Sequence, residues 1–177
     1  MPQKGQESLR QRNEEGGSMI DSLQQAKNDL RQGWETQRGA VCPCCGQLVK
    51  VYPRQVYKTI AKRLIKLYHL HLPFNWDSYF HLNQIGTPKN GGGDFTKLRY
   101  WGLIEQRPGL EDPDKKNDGH WRITQIGRDF VEGKKTIIKY CHVYNNVVGY
   151  RDGPQITIHD ALGKDKFKYP ELMGYLI

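Results

Sequence analysis

"DFTKLRYWGLIEQR", Asp94 to Arg107, is the stretch whose reading decides the fold. Phe95, Leu98 and Trp101 recur at helical spacing, and Asp94 stands where a helix N-cap is expected. Lys97 and Arg99 fall on the outward side. Gly102 is the residue expected just past a helix end, and "LIEQR" has the length and composition of a strand. The pattern then continues. "PGLEDPDKKNDG" (108–119) reads as a hairpin loop and "HWRIT" as the returning strand. "QIGRDFVEG" opens a further helix, with Ile126 and Phe130 at i, i+4.

Upstream lies the longest helical pattern, "RQVYKTIAKRLIKLYHLHL". Val56, Ile60, Leu64, Leu67 and His71 share one face. Pro53 suits the first helical position, where its missing N–H costs nothing. Arg54, Lys58, Lys62 and Lys66 repeat every fourth residue on the opposite face, a stripe of about 18 Å at the helical rise. Between Gly46 and Trp76 there are six basic residues, Lys50 and Arg63 included, and no acid. Most of the net charge of +8 therefore sits in one segment of a chain with pI near 9.3. Such a concentration favours a polyanionic partner, and nucleic acid first.

The flanks are read more coarsely. Residues 1–17 are polar and expected to be disordered. Residues 18–40 form a helical arm whose apolar stripe (Ile20, Leu23, Ala26, Leu30) is too thin to fold alone, which suits docking or homodimerisation. "VCPCCGQLVKVY" (41–52) holds three of the four cysteines, crowded within four positions. That is poor disulfide geometry and points to a reducing, cytoplasmic setting. Its Cys-Pro-x-Cys-Gly form resembles a zinc knuckle, in which a glycine allows the turn and amides point at the thiolates. Cys42 and Cys45 supply two ligands, and Cys44 and Cys141 are the further candidates for a structural four-thiolate zinc site. Cys141 reads equally well as a core residue. "NWDSYFHLNQI" is open between strand and helical turn. "GTPKNGGG" reads as a flexible linker whose Lys89 is a candidate phosphate contact. Residues 136–177 are expected to form a small C-terminal β element, with Asn145–Asn146 at a hairpin turn, a further strand in "QITIHDALG" and a helical turn in "YPELMGYLI".

The run from Phe95 to Gly133 resembles the second half of a winged helix-turn-helix. A helix ending in "WGLIEQR", a hairpin wing and "WRITQIGRDFVEG" come in order. The resemblance implies an α+β winged-helix core over 53–135 and a DNA-binding regulator or accessory factor. The reading helix would be Asp94–Trp101 and the wing Pro108–Gly119, with Thr96, Lys97, Arg99 and Tyr100 as base or phosphate contacts. The order of motifs is also similar to that in small uncharacterised phage and prophage proteins, which join such a knuckle to "KLRYWGLI" and a tail like "HDALGKDKFKYPELM".

Other classes are disfavoured. No apolar run approaches the ~18 residues of a membrane span, and the start of the chain lacks an apolar signal core. The histidines lack metalloprotease spacing, and no nucleophile elbow or phosphate loop occurs, so an enzyme is not expected. The loop at 111–118 carries four acids against two lysines, which phosphate would repel. A non-catalytic scaffold that captures a host protein, a phage inhibitor for instance, is accordingly the alternative to a double-stranded DNA binder.

Overall fold

A computed structural model describes residues 23–30, 32–33, 39–86, 93–108, 118–144 and 146–175. The expected tail (1–17), the start of the arm, Lys89, most of the glycine loop, the acidic loop tip and Asn145 lie outside the described residues. The chain divides into two compact units, Met1–Tyr52 and Pro53–Ile177.

In the first unit residues 23–30 form helix α1, with Ala26 buried. Strands β1 (Ala40–Val41) and β2 (Leu48–Val49) pair antiparallel around the cysteine turn.

The second unit is built on α2 (Lys58–His71). Its buried side chains are Ile60, Ala61, Leu64, Ile65, Leu67 and His71, and Val56 is buried just before it. The apolar period of the sequence thus becomes the core face. The start differs from expectation. Pro53 and Arg54 lie in strand β3 (Tyr52–Gln55), whose residues from Pro53 onward belong to this unit. Proline biases the residue before it towards extended backbone and is tolerated on an edge strand. β3 is such an edge in the order β3-β7-β8. Arg54 therefore does not belong to the helical stripe.

After α2 come β4 (Phe80–His81) and α3 (Leu82–Ile85), so the ambiguous segment is both strand and helix. A capping box joins them. His81 accepts from the Asn83 amide, and Gln84 accepts from the His81 amide. The expected reading helix is a seven-residue 3-10 helix, η1 (Phe95–Trp101). Phe95, Leu98, Tyr100 and Trp101 are buried. Asp94 does not cap it; its carboxylate accepts from the Tyr57 hydroxyl at 2.7 Å and from Lys97. Gly102, at φ +70°, closes the helix, with Gly102 N–H donating to Arg99 O and Leu103 N–H to Leu98 O.

Strands β5 (Ile104–Gln106) and β6 (His120–Ile123) pair antiparallel, and β4 lies on the other side of β6. Ile104, Ile123, Trp121 and Phe80 are buried. The opposed Glu105 and Arg122 form an ion pair, and Arg122 reaches Asp77 at 2.9 Å. Helix α4 (Gln125–Val131) starts at Thr124, whose hydroxyl accepts from the Gly127 amide at 3.0 Å.

The segment 136–177 shares this core. β7 (Ile137–Tyr144) and β8 (Val147–Ile156) form one hairpin with register shifts. Asn146 turns it at φ 64°. The strand expected in "QITIHDALG" is the end of β8. Trp101 Nε1–H donates to Ile138 O at 2.7 Å, and Arg151 donates to Tyr100 O at 2.5 Å. Helix α5 (Ile158–Leu162), 3-10 helix η2 (Gly163–Lys168) and α6 (Tyr169–Leu172) complete the unit. α5 packs on α2, and the Tyr169 hydroxyl donates to Val131 O at 2.7 Å. Among the described residues no helix is long and apolar enough to cross a membrane.

Two expectations about stability follow from this packing. A Cβ at Gly127 would lie 2.1 Å from the Leu103 carbonyl oxygen and 2.7 Å from Ile123. Gly127→Ala should lower the unfolding free energy by about 3 kcal/mol in a denaturant titration, whereas Gly93→Ala, with nothing within 4 Å, should be near neutral. His71 is fully buried, with Nδ1 2.8 Å from Leu67 O and Nε2 3.0 Å from Ser78 O. Burial holds its pKa below the ordinary value, against the two carbonyls and helped by Arg128 and Arg122. The folded state thus binds fewer protons than the unfolded one, so this contribution is complete above the unfolded pKa of about 6.5 and falls as pH drops below it. Unfolding followed from pH 7 to 5 should show that decline, and His71→Leu should flatten it.

Candidate nucleic-acid interface

The outward face of α2 is set by its inward one. With Ile60, Leu64 and Leu67 fixed in the core, Lys58, Lys62 and Lys66 are carried to the opposite side one turn apart. Arg63 lies beside them. These four cations, with Thr59, Ile85 and Gly86, line an open cleft of about 330 Å³. α3 closes one wall. Gly86 follows it at φ +81°, and a Cβ there would lie 3.1 Å from Lys66 Nζ, so glycine leaves the ammonium room.

Two of these lysines are paired with a carboxylate that the sequence reading did not single out. Asp165, on η2, sits 2.5 Å from Lys62 Nζ and 3.8 Å from Lys58 Nζ. Lys62 first, and Lys58 with it, holds the Asp165 pKa below the ordinary range. Two lysines share one acid, so the cleft keeps a net positive charge. Lys164, Lys166 and Lys168 flank Asp165 on the same short helix and are exposed. Phe167 is 82% exposed, with Lys166 Nζ 5.3 Å from its ring centre. The run Lys-Asp-Lys-Phe-Lys was legible as alternating charge around an aromatic. Its position beside α2, about a hundred residues upstream, was not.

The other expected contacts fall into a separate group. Lys97 is paired with Asp94, and Thr96 Oγ1 donates to Gly93 O at 3.1 Å. Arg99 is exposed and stands 5.2 Å from the Tyr100 ring. Tyr100 itself is 8% exposed, and its hydroxyl donates to Asn146 at 3.1 Å. It is a core residue and not a base contact. Asp94 has its pKa lowered by Lys97 first, then Tyr57, with a smaller contribution from Arg54. Arg54 thus belongs electrostatically with the start of η1.

The candidate metal ligands divide between the units. Cys42 is half-buried and Cys44 and Cys45 are exposed on the β1–β2 turn. Cys141 is fully buried in the second unit, its Sγ 3.8 Å from Tyr100 O, and burial raises its pKa. Among the described residues no three or more His, Cys, Asp or Glu side chains form a group able to hold a metal ion.

No family model, curated protein or solved structure matches the chain.

If Asp165 is the internal counter-ion of the cleft, Asp165→Asn should tighten binding of a generic polyanion. Elution from heparin should move to higher salt, and duplex affinity should rise about two- to fivefold, the worth of an exposed ion pair.

Proposed function

We propose that residues 53–177 bind duplex DNA through its phosphates, using the cleft of Lys58, Lys62, Arg63 and Lys66, and that the protein acts as a winged-helix regulator or accessory factor of phage type. The observation that carries this reading is four cations from one helix lining one open cleft, with one carboxylate shared by two of them. The surface is rigid because the opposite side of the same helix is buried. Its charges therefore need little ordering when a backbone arrives.

Support for a winged-helix core comes from connectivity. Helix α2, strand β4, helix α3, helix η1, strand β5, the hairpin and strand β6 follow in that order, and the sheet runs β4-β6-β5. α3, one turn long, supplies the helix that should precede a reading helix. η1 is a short reading helix, and its outward side offers only Thr96, Lys97 and Arg99. Phosphate contact from α2 is favoured over base readout from η1 on that ground.

A scaffold that binds a host protein is the second reading. Leu72 and Phe74, 54% and 60% exposed just past the end of α2, are apolar side chains of the kind such a partner covers.

The two separate in one titration. The protein should bind a generic duplex at low salt, with a log–log salt slope of about −3 to −4 if four phosphates are neutralised. Arg63→Gln with Lys66→Gln should reduce affinity at least tenfold and leave the unfolding midpoint unchanged, because among the described residues neither side chain forms an ion pair, in contrast to Lys58 and Lys62. An absence of duplex binding at low salt would remove the proposal and leave the scaffold reading.

A further inference from the structure

The 3-10 helix η2 keeps its shape without burying any of its own residues. It is held from both ends, by Ile158, Ala161 and Leu162 before it and Tyr169 after it, all in the core. Asp165 fastens its middle to Lys62 and Lys58 of α2. Three residues make one turn of such a helix, so its side chains stand in three rows. Asp165 and Lys168 share the row turned to α2. Lys164 and Phe167 share the second, and Lys166 stands on the third. The turn that brings Asp165 to Lys62 therefore carries Phe167 away from the protein. At 82% exposure it is the most exposed large hydrophobic side chain among the described residues. The core makes no use of this ring.

What surrounds the ring selects its partner. Lys166 Nζ lies 5.3 Å from the ring centre, and Lys164 and Lys168 are exposed on the same helix. The one acid of η2 is already shared by two lysines of α2. A membrane surface takes up an apolar helix face, and η2 has a single aromatic. An apolar protein surface would have to cover three ammonium groups together with the ring. A nucleic-acid strand uses both features at once, its phosphates meeting the lysines and an unpaired base offering a flat face to the ring. In a continuous duplex the bases are already stacked on one another. Phe167 is about 4 Å along the helix from Asp165 at the 3-10 rise, so ring and cleft can meet the same strand.

We propose that Phe167 stacks on an unpaired base beside the cationic cleft, so that the protein prefers a duplex continued by a single strand over a blunt duplex. Lys58, Lys62, Arg63 and Lys66 hold the phosphates, and Phe167 adds a contact that only an unstacked base can make. This rests on the DNA reading of the cleft and names the form of DNA it takes.

The test measures binding of the full-length protein to a blunt duplex, to the same duplex with a short thymine overhang, and to one whose overhang is abasic. The thymine overhang should tighten binding about five- to a hundredfold, the worth of one stacked base, and the abasic overhang should not. Phe167→Ala should bind the overhang no better than the blunt duplex, with its blunt-duplex affinity, salt slope and unfolding midpoint those of the parent. Phe167→Trp should keep the preference, and the added indole fluorescence should be quenched by the overhang. Blunt-duplex binding without an overhang preference, or a preference that survives in Phe167→Ala or on the abasic probe, would overturn this proposal and leave the cleft reading standing. No binding to any probe at low salt would overturn both. Phe167-dependent sedimentation with phosphatidylserine vesicles, without an overhang preference, would assign the ring to a membrane surface instead.

Discussion

Helix α2 must keep Ile60, Ala61, Leu64, Ile65 and Leu67 out of water while holding a row of ammonium and guanidinium groups in it. Both demands are met by one helical period, and the rest of the second unit is arranged around that condition. η1, α3, α4, α5 and β6 pack against α2. Removing a side chain such as Leu64, fully buried at the centre of this contact, costs about 2–5 kcal/mol in comparable cores. The same burial fixes where the cations point. The charged surface is thus a by-product of the hydrophobic core as much as a feature beside it, and disturbing the core would move the cleft.

Much of this was legible where the determining contacts are local. The apolar face of α2 follows from spacing, the start of α4 from "QIGRDFVEG" with Ile126 and Phe130 at i, i+4, and the β7–β8 turn from asparagines that tolerate positive φ. Gly102 ended its helix because an αL residue was needed there. What escaped the sequence depends on distant partners. Pro53 could open a helix or sit on an edge strand, and pairing with β7, more than eighty residues later, decided it. Asp94 is a good cap in isolation, yet Tyr57 and Lys97 take its carboxylate. "QITIHDALG" reads as a new strand because Gly153 and Pro154 look like a break, whereas the irregular β7–β8 register absorbs them. In the candidate site, the lysine row was visible and its carboxylate was not, since nothing local links Asp165 to Lys62.

The geometry of η1 bears on how such a surface would recognise a partner. A 3-10 helix advances faster than an α-helix and stacks its side chains in three rows. Here one row is core and Tyr100 is drawn inward. The carbonyl of Tyr100 is already occupied by Arg151 and the Cys141 thiol. Few groups are left to meet base edges, which are what specify sequence. On the proposed reading the cations of α2 would meet only the repeating phosphate, which positions without specifying. A protein built this way gains its affinity from charge and would need shape, a partner or a second copy to gain selectivity.

A row of four phosphate contacts makes a weak and steeply salt-dependent complex on its own. Joining two chains changes that without adding a contact to either row. The second row binds at an effective concentration set by the connection between chains, and avidity can exceed single-site affinity by about 10²–10⁴. Such a gain would leave each cleft unchanged, so it would show as tighter binding with the same number of phosphates neutralised per chain.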